Sequence, residues 1–597
     1  MPASELPQGR YLSCTFRVTA DAGGQTRALL LRNRILAQAG VRPHVLTLGA
    51  ARDHDRRRAI LRERGLLPDA IELLNIYEHY RACGWGAKPA AGAVPLADLT
   101  AHRVNEELGA DGSPWRVTYS VPGAKRSLYD YLRPDGTPYL RIPAFGLAGG
   151  SRGRGSIQQV GEDGRVVGEF KSAGQWFRRW IRELAAGHDR TLVFMDSRYV
   201  VPHLVPIKAR RIHLIYLMHN VHVTPPYRWD SPTTTAYTRV LARIPGMDAM
   251  VTLTERQRDD IAQRRGRTSN MFVVPNPVDT PEPPAQEPPR DPDRVAIVAR
   301  LEGQKRLGDA IAAFALVVAA VPTARLDIYG EGSRRESLQA AIDRRGLSGH
   351  VTLRGFDPDA REALWTASAF LMTSAFEGYP LSTLESMSRG CPVVSYDIKY
   401  GPREQISDGV DGFLVPGGDV AALAGRIVEL LRSPERVARM GAAARATARS
   451  FGTEPFLGRW TAVLRAAVTD EPRRTRIDAV RLETTRLTVS GRGRLTFAGV
   501  LEVAGHSRGS DLDAAAIALA AIDDTSGQVI ELPVAVERDG GRFAVRTTAG
   551  LFGGPKSPTG ARLRLRLTWR NSAWETSVAP ASSGTPSRTP ASGRARA

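Results

Sequence analysis

Short apolar runs alternate with amphipathic stretches along most of the chain, and this pattern changes character twice. Residues 11–18 read as a buried strand. A loop over 21–26 follows, holding Gly23 and Gly24, and then a helical pattern over 27–39. Glycines between a strand and a helix let the backbone approach a ligand. A second strand is expected over 44–49 and a strongly basic helix over 51–64.

From about residue 83 the period shortens to two. Segments 116–119, 127–132, 139–142, 156–160 and 166–170 alternate like strands, with Asp135-Gly136 and Asp163-Gly164 as hairpin turns. An antiparallel β unit is therefore inserted over 83–174. Helix 175–184 and strands 192–195, 212–218, 250–253 and 271–274 resume the first pattern. Two strands end on chemistry: Asp196-Ser197-Arg198 after the first and His219-Asn220 after the second. The C-terminal ends of strands are where open α/β sheets bind ligands. His219 and His222 form an H-x2-H pair, but no third ligand stands at a fitting spacing, so no metal site is expected.

A run of prolines over 281–293 reads as a semi-rigid linker between two halves. Strand and helix then alternate from 295 to 431, which predicts a parallel, doubly wound sheet. Helix 434–449 follows, with Ser433 placed to cap it and Pro434 at its first position; a further helix covers 456–468. From 476 the pattern turns β-like again, with segments 479–490, 494–503, 515–522, 529–536, 543–547 and 561–569. These read as a β-sandwich-like accessory domain. Asp511 and Asp513 form a D-x-D triplet without supporting context, and 579–597 has a disordered composition.

One stretch concentrates the chemistry. The apolar run 369–372 is a buried strand; Gly378 permits a sharp turn, Pro380 suits a first helical residue, and Gly390 stops the helix. The N–H groups of Leu381 and Ser382 then lie free at the positive end of a helix, a geometry that binds phosphate. Glu377 sits in the loop and Glu385 about one turn into the helix. Phosphate donors beside two acids describe a nucleotide-sugar site.

Glu377 and Glu385 stand at the E-x7-E spacing of retaining family 4 glycosyltransferases of the GT-B type, which the stretch resembles. Its neighbours strengthen the match: Arg300 and Lys305 after strand 295–299, Tyr329-Gly330-Glu331-Gly332, Cys391-Pro392, and 409–416. The segment 395–402 resembles the branch that places α-linked sugars on wall teichoic acid, a poly(polyol phosphate). The resemblance covers most of 1–468. It implies an α/β fold of two Rossmann-like doubly wound domains facing across a cleft. The N-terminal one is split into 1–82 and 175–280. The donor-binding one spans 294–450, a crossover helix 451–470, and the accessory β domain 471–578.

By resemblance, Arg300 and Lys305 hold the donor diphosphate, Gly23 and Gly24 approach it or the acceptor, Gly355 and Phe356 meet the base, and Glu385 accepts hydrogen bonds from the ribose hydroxyls. Glu377 holds the sugar and the cationic transition state, and His219 contacts the transferred sugar. The implied reaction is retaining transfer of a hexose or N-acetylhexosamine from a UDP-sugar to an anionic cell-wall polymer, without a metal cofactor. The β insertion implies acceptor binding and homo-oligomer contacts, with Arg152, Arg154 and Lys171 as candidate polymer contacts.

Composition adds one constraint. The net charge of +20 over 597 residues suits an anionic partner. Only seven of the 82 basic residues are lysine, which points first to genomic base composition and makes Lys305 and Lys399, both inside motifs, informative. Scattered arginines without interleaved aromatics argue against nucleic-acid binding. Cys14, Cys83 and Cys391 lie far apart and suggest neither a disulfide framework nor a metal cluster. The first ten residues hold no apolar signal core, and the longest apolar run, 310–321, ends at Pro322, so a cytoplasmic protein, peripheral at the inner membrane face, is expected. Competing readings are a family 4 enzyme for another acceptor (capsule, glycan, glycolipid or protein), and a non-catalytic polyanion-binding protein.

Overall fold

The computed structural model describes residues 6–19, 23–84, 93–122, 127–144, 156–207, 209–266, 268–469, 479–489, 494–504, 515–523, 529–539, 542–550, 561–569 and 572–578. Two parallel sheets organise the first 470 residues. The N-terminal sheet has seven strands in the order Met271–Val273, Ala249–Thr252, Ile212–Met218, Thr191–Met195, Arg10–Thr15, Pro43–Thr47, Glu72–Asn75. Strand order reverses beside Arg10–Thr15, where Leu12 pairs with Val193 on one side and His44 on the other. Strands buried on both faces read as unbroken apolar runs, as in Ile212–Met218, buried at every residue.

The second sheet has six strands in the order Val351–Gly355, Arg325–Tyr329, Asp291–Val298, Ala367–Met372, Val393–Asp397, Gly412–Pro416. Its reversal lies between Asp291–Val298 and Ala367–Met372, so the 300–305 turn and the 373–380 loop leave neighbouring strand ends. The helix Thr453–Val468 returns to the N-terminal sheet, burying Phe456, Trp460 and Leu464 against Phe194, Ile215 and Val251. Trp460 meets Phe194 edge-on, ring centroids 5.3 Å apart.

The insertion is a six-stranded antiparallel meander, Arg103–Leu108 through Val166–Phe170 in chain order. It is continuous with the N-terminal core: Trp115, Tyr131 and Tyr139 pack in one cluster with Tyr77 and Trp176. The C-terminal segments form two four-stranded antiparallel sheets that enclose Leu495, Phe497, Leu501, Leu519, Phe543, Leu565 and Leu567. The sandwich expected from the alternation is present.

Several local expectations change. Strand Glu72–Asn75 and helix Ile76–Cys83 were not expected; four residues are too few to show a period. Arg103–Leu108 is an additional, largely exposed edge strand. The expected strand 529–536 is two strands in opposite sheets, Val529–Leu532 and Ala535–Asp539, parted at Pro533, which cannot donate to a ladder. Ser433 stands at the N-cap of Pro434–Arg449 but its side chain makes no capping bond. Lys171 is exposed. Arg152, Arg154, the 511–513 triplet and 579–597 lie outside the described residues. No helix among the described residues is long and apolar enough to cross a membrane.

Candidate active site

The donor loop is built from the buried strand Ala367–Met372 outward. Its first residues are laced to the turn at 303–305. Thr373 Oγ1 donates to the Lys305 carbonyl at 2.8 Å, Ala375 N–H to the Gln304 carbonyl at 2.8 Å, and Gln304 Nε2 to the Phe376 carbonyl at 2.8 Å. On the other side Glu377 N–H donates to the Lys399 carbonyl and Tyr400 N–H to the Glu377 carbonyl. The loop is thus held from both flanks. It presents the Glu377 carboxylate to Lys305 Nζ at 2.6 Å, with both side chains mostly buried. An ammonium has three donors, so two remain after this contact.

The helix after the loop is Leu381–Ser388, with Pro380 as its N-cap in extended backbone and no side-chain capping bond. Pro380 is therefore one position earlier than expected, because the chain reaches helical geometry only at Leu381. The first-turn N–H groups, Leu381 and Ser382 included, have no intrahelical acceptor. Gly390, at φ 67°, closes the far end as expected. Arg300 is exposed at the end of Asp291–Val298 and makes no ion pair among the described residues.

Glu385 is not idle. Its Oε1 lies 3.3 Å from Arg27 Nη2 and its Oε2 2.8 Å from Arg361 Nε. Arg27 belongs to the opposite half, in the first turn of helix Gly24–Gln38. Both arginines line a small cavity with Leu30, Pro277, Leu381 and Arg389. Neither partner was legible, since both lie far from Glu385 in sequence and Arg27 belongs to the other sheet's half.

His219, at the tip of Ile212–Met218, is brought to the same cleft. Gly378 lies so close to the His219 carbonyl that an added Cβ would overlap it. The two halves therefore touch backbone to backbone beside Glu377. His219 Nε2 is 3.1 Å from Asp196 Oδ1, and Asp196 is gripped by Arg32 through two bonds of 2.7 Å. Burial works to raise the Asp196 pKa, but the Arg32 charge and the bonds from Arg32 and His219 outweigh it and hold this carboxyl well below the usual range. An ionised Asp196 can only accept, so His219 Nε2 carries the proton. Arg32 was missed, although Asp196 stood out at its strand end.

Gly23 and Gly24 begin the helix Gly24–Gln38 with open space around both. A cavity of about 510 Å³ opens beside them at the strand-order reversal, lined by Phe16, Arg17, Gln25, Leu29, Ser197 and Tyr199 among others. Gly355 ends its strand at φ 81°, and Phe356 is 58% exposed with the Arg64 guanidinium 5.9 Å from its ring centre.

One sequence reading changes here. Lys399 is not a free cation: it pairs with Asp260 of helix Glu255–Arg265, and Tyr400 Oη donates to the same carboxylate at 2.6 Å. His222 is fully buried, its ring stacked on Tyr400, and burial, with Arg264 and Lys399 nearby, lowers its pKa to about 3. No group of three metal-binding side chains occurs among the described residues.

Residues 279–447 match the family described as "Glycosyl transferases group 1". The chain is 28% identical over 300 residues to the poly(glycerol-phosphate) alpha-glucosyltransferase of Bacillus subtilis (strain 168), covering 50% of this chain and 44% of that protein. It is 30% identical over 215 residues to the poly(ribitol-phosphate) alpha-N-acetylglucosaminyltransferase of Staphylococcus aureus (strain COL), covering 36% of this chain and 43% of that one. The chain thus spans less than half the length of these relatives. Among solved structures, S. aureus TarM in complex with Fondaparinux, alpha-GlcNAc-glycerol and UDP superposes with a TM-score of 0.59 at 18% identity, over 76% of this chain and 100% of that one. The pneumococcal O-GlcNAc transferase GtfA, in complex with UDP and GlcNAc, gives 0.59 at 16%, over 78% and 100%. Residues 279–447 are accordingly a group 1 glycosyltransferase domain, carried in a chain of the GT-B fold.

Proposed function

We propose that this protein transfers a hexose or N-acetylhexosamine from a UDP-sugar to a poly(polyol phosphate), with retention of anomeric configuration. One observation carries the reading: an uncapped helix start, at Leu381 and Ser382, lies in the interdomain cleft with Lys305 anchored beside it. In this account the diphosphate takes the helix N–H groups, the two spare donors of Lys305 and the exposed Arg300. As the bond from the anomeric carbon to the diphosphate breaks, negative charge grows on UDP, and these fixed donors stabilise it. The site needs no divalent metal, because cationic side chains take that role.

Glu377 faces the opposite charge, stabilising the oxocarbenium-like sugar as the acceptor hydroxyl adds on the face the diphosphate leaves and gives its proton to the departing phosphate oxygen. His219, its Nε2–H committed to Asp196, offers Nδ1 to a sugar hydroxyl. Gly355 and Phe356 flank the base, and Gly23 and Gly24 leave room for phosphate. The cavity lined by Phe16, Arg17 and Tyr199 receives the acceptor: aromatic faces suit the polyol carbons and Arg17 a phosphate. The relatives named for poly(glycerol-phosphate) and poly(ribitol-phosphate) support that acceptor class. The insertion supports self-association, and work on an anionic polymer fits a cytoplasmic enzyme peripheral to the membrane.

The test is incubation with UDP-glucose or UDP-N-acetylglucosamine and purified poly(glycerol phosphate) or poly(ribitol phosphate), with the product linkage read by NMR. An α-linked sugar on the polymer is expected. A β-linkage would refute retention, and transfer to a glycan, lipid or protein but neither polymer would refute the acceptor.

A further inference from the structure

The carboxylate of Glu385 is held by one guanidinium from each half of the molecule. Arg361, which precedes the short helix Glu362–Trp365, contacts Oε2 at 2.8 Å and belongs to the same half as Glu385. Arg27 reaches Oε1 at 3.3 Å from across the cleft. An ionised carboxylate has about four acceptor sites. Both arginine contacts are ion pairs without hydrogen-bond alignment, so the carboxylate keeps acceptor sites for a vicinal diol. A positive charge beside each oxygen restrains the carboxylate from both halves.

Arg27 is an uncomfortable cation. Burial lowers its pKa first, Glu385 and then Asp279 work against that, and the charges of Arg361 and Arg389 lower it further. Two guanidinium groups thus meet one carboxylate beside a small cavity that Arg389 also lines. An anionic ligand entering there relieves the repulsion. Two turns along the same helix face, Arg34 pairs with Asp279 of the segment joining the halves, at 2.6 Å. One helix of the N-terminal half therefore touches both the junction and the ribose-binding acid.

We propose that Arg27 is a positioning residue for the donor ribose: it completes the Glu385 diol site from the opposite half, so that hydroxyl recognition requires the closed cleft. This rests on the UDP-sugar reading above. It places ribose selectivity in the interdomain contact rather than in the donor-binding half alone.

The experiment compares calorimetric binding of UDP and of 2′,3′-dideoxyuridine 5′-diphosphate to wild type, Arg27→Gln, Arg27→Lys and Glu385→Gln. Wild type is expected to prefer UDP. Arg27→Gln is expected to lose about tenfold in UDP affinity, the scale of one charged hydrogen bond, with the dideoxy probe bound as in wild type. Arg27→Lys, which keeps the charge but not the planar fork, is expected to fall between them and guards against a misfolded Arg27→Gln. Equal losses for both nucleotides, or UDP binding unchanged in both Arg27 variants, would overturn the proposal. If Glu385→Gln also binds UDP as wild type does, the donor reading itself fails; if only Glu385→Gln weakens, the role of Arg27 alone is refuted.

Discussion

At the scale of single residues, each site group is useful because something else restrains it. Glu377 is set by backbone bonds on both sides and by Lys305. In the proposed reaction, replacing it with alanine removes the charge that would face the cationic sugar. We expect kcat to fall about 10²–10³-fold while UDP affinity, read by calorimetry, changes little; unchanged turnover would contradict the assignment. Asp196 tests a different property. Asp196→Asn strands Arg32 in the interior, so denaturant unfolding near neutral pH should show a loss of about 3–5 kcal/mol. Because the folded-state pKa of Asp196 is depressed, its stabilisation is present above the ordinary aspartate value and is lost as pH falls through and below it. The gap between variant and wild type should therefore narrow as pH drops from about 5 to about 3. The proximity of Glu377, Lys305 and the helix start was legible because they lie within short, contiguous motifs. The Arg32–Asp196 and Arg27–Glu385 pairs were not, because each joins residues that only the folded sheet order brings together.

At the scale of elements, the decisive feature is a strand that ends in a loop pressed against another strand's tip. Gly378 meets the His219 backbone where no side chain fits. Gly378→Ala should push the two halves apart beside Glu377. A displacement of about 1 Å is enough for a loss of about 10²-fold in kcat/KM. The thermal midpoint should stay near wild type, since the clash is relieved by opening the cleft; full activity in this variant would show that the contact is dispensable. Unbroken apolar runs such as Ile212–Met218 were legible, whereas Arg103–Leu108 was not, because a mostly exposed edge strand shows no apolar alternation. Pro533 was visible in the sequence, but only the two-layer arrangement shows that the chain changes sheets there.

At the scale of the whole molecule, one helix joins three units. Helix Glu255–Arg265 of the N-terminal half is capped at its start by Glu404, whose carboxylate accepts from the N–H groups of Glu255 and Arg256 at 2.8 Å each. At its end, Arg566 of the sandwich donates to the Ala262 carbonyl at 2.7 Å and Arg564 to the Gln263 carbonyl at 3.1 Å. Acid at the positive end and base at the negative end both favour the helix dipole. Removing both arginines should cost about 2–4 kcal/mol of docking, seen in calorimetry as a sandwich transition separating from the main one; a single unaltered transition would deny the coupling. The same pattern explains part of the net charge. Arg290, for example, donates to the carbonyls of Leu364, Ala367 and Arg389, so many guanidinium groups hold backbone rather than await a polymer.

The account rests on a diphosphate held between a helix start and two cations, and titrating UDP into wild type and into an Arg300→Ala/Lys305→Ala double variant tests it most directly. Saturable binding by wild type, weakened about 100-fold or more in the double variant, is expected from the loss of two charged contacts. No UDP binding by wild type, or equal binding by both proteins, would contradict it.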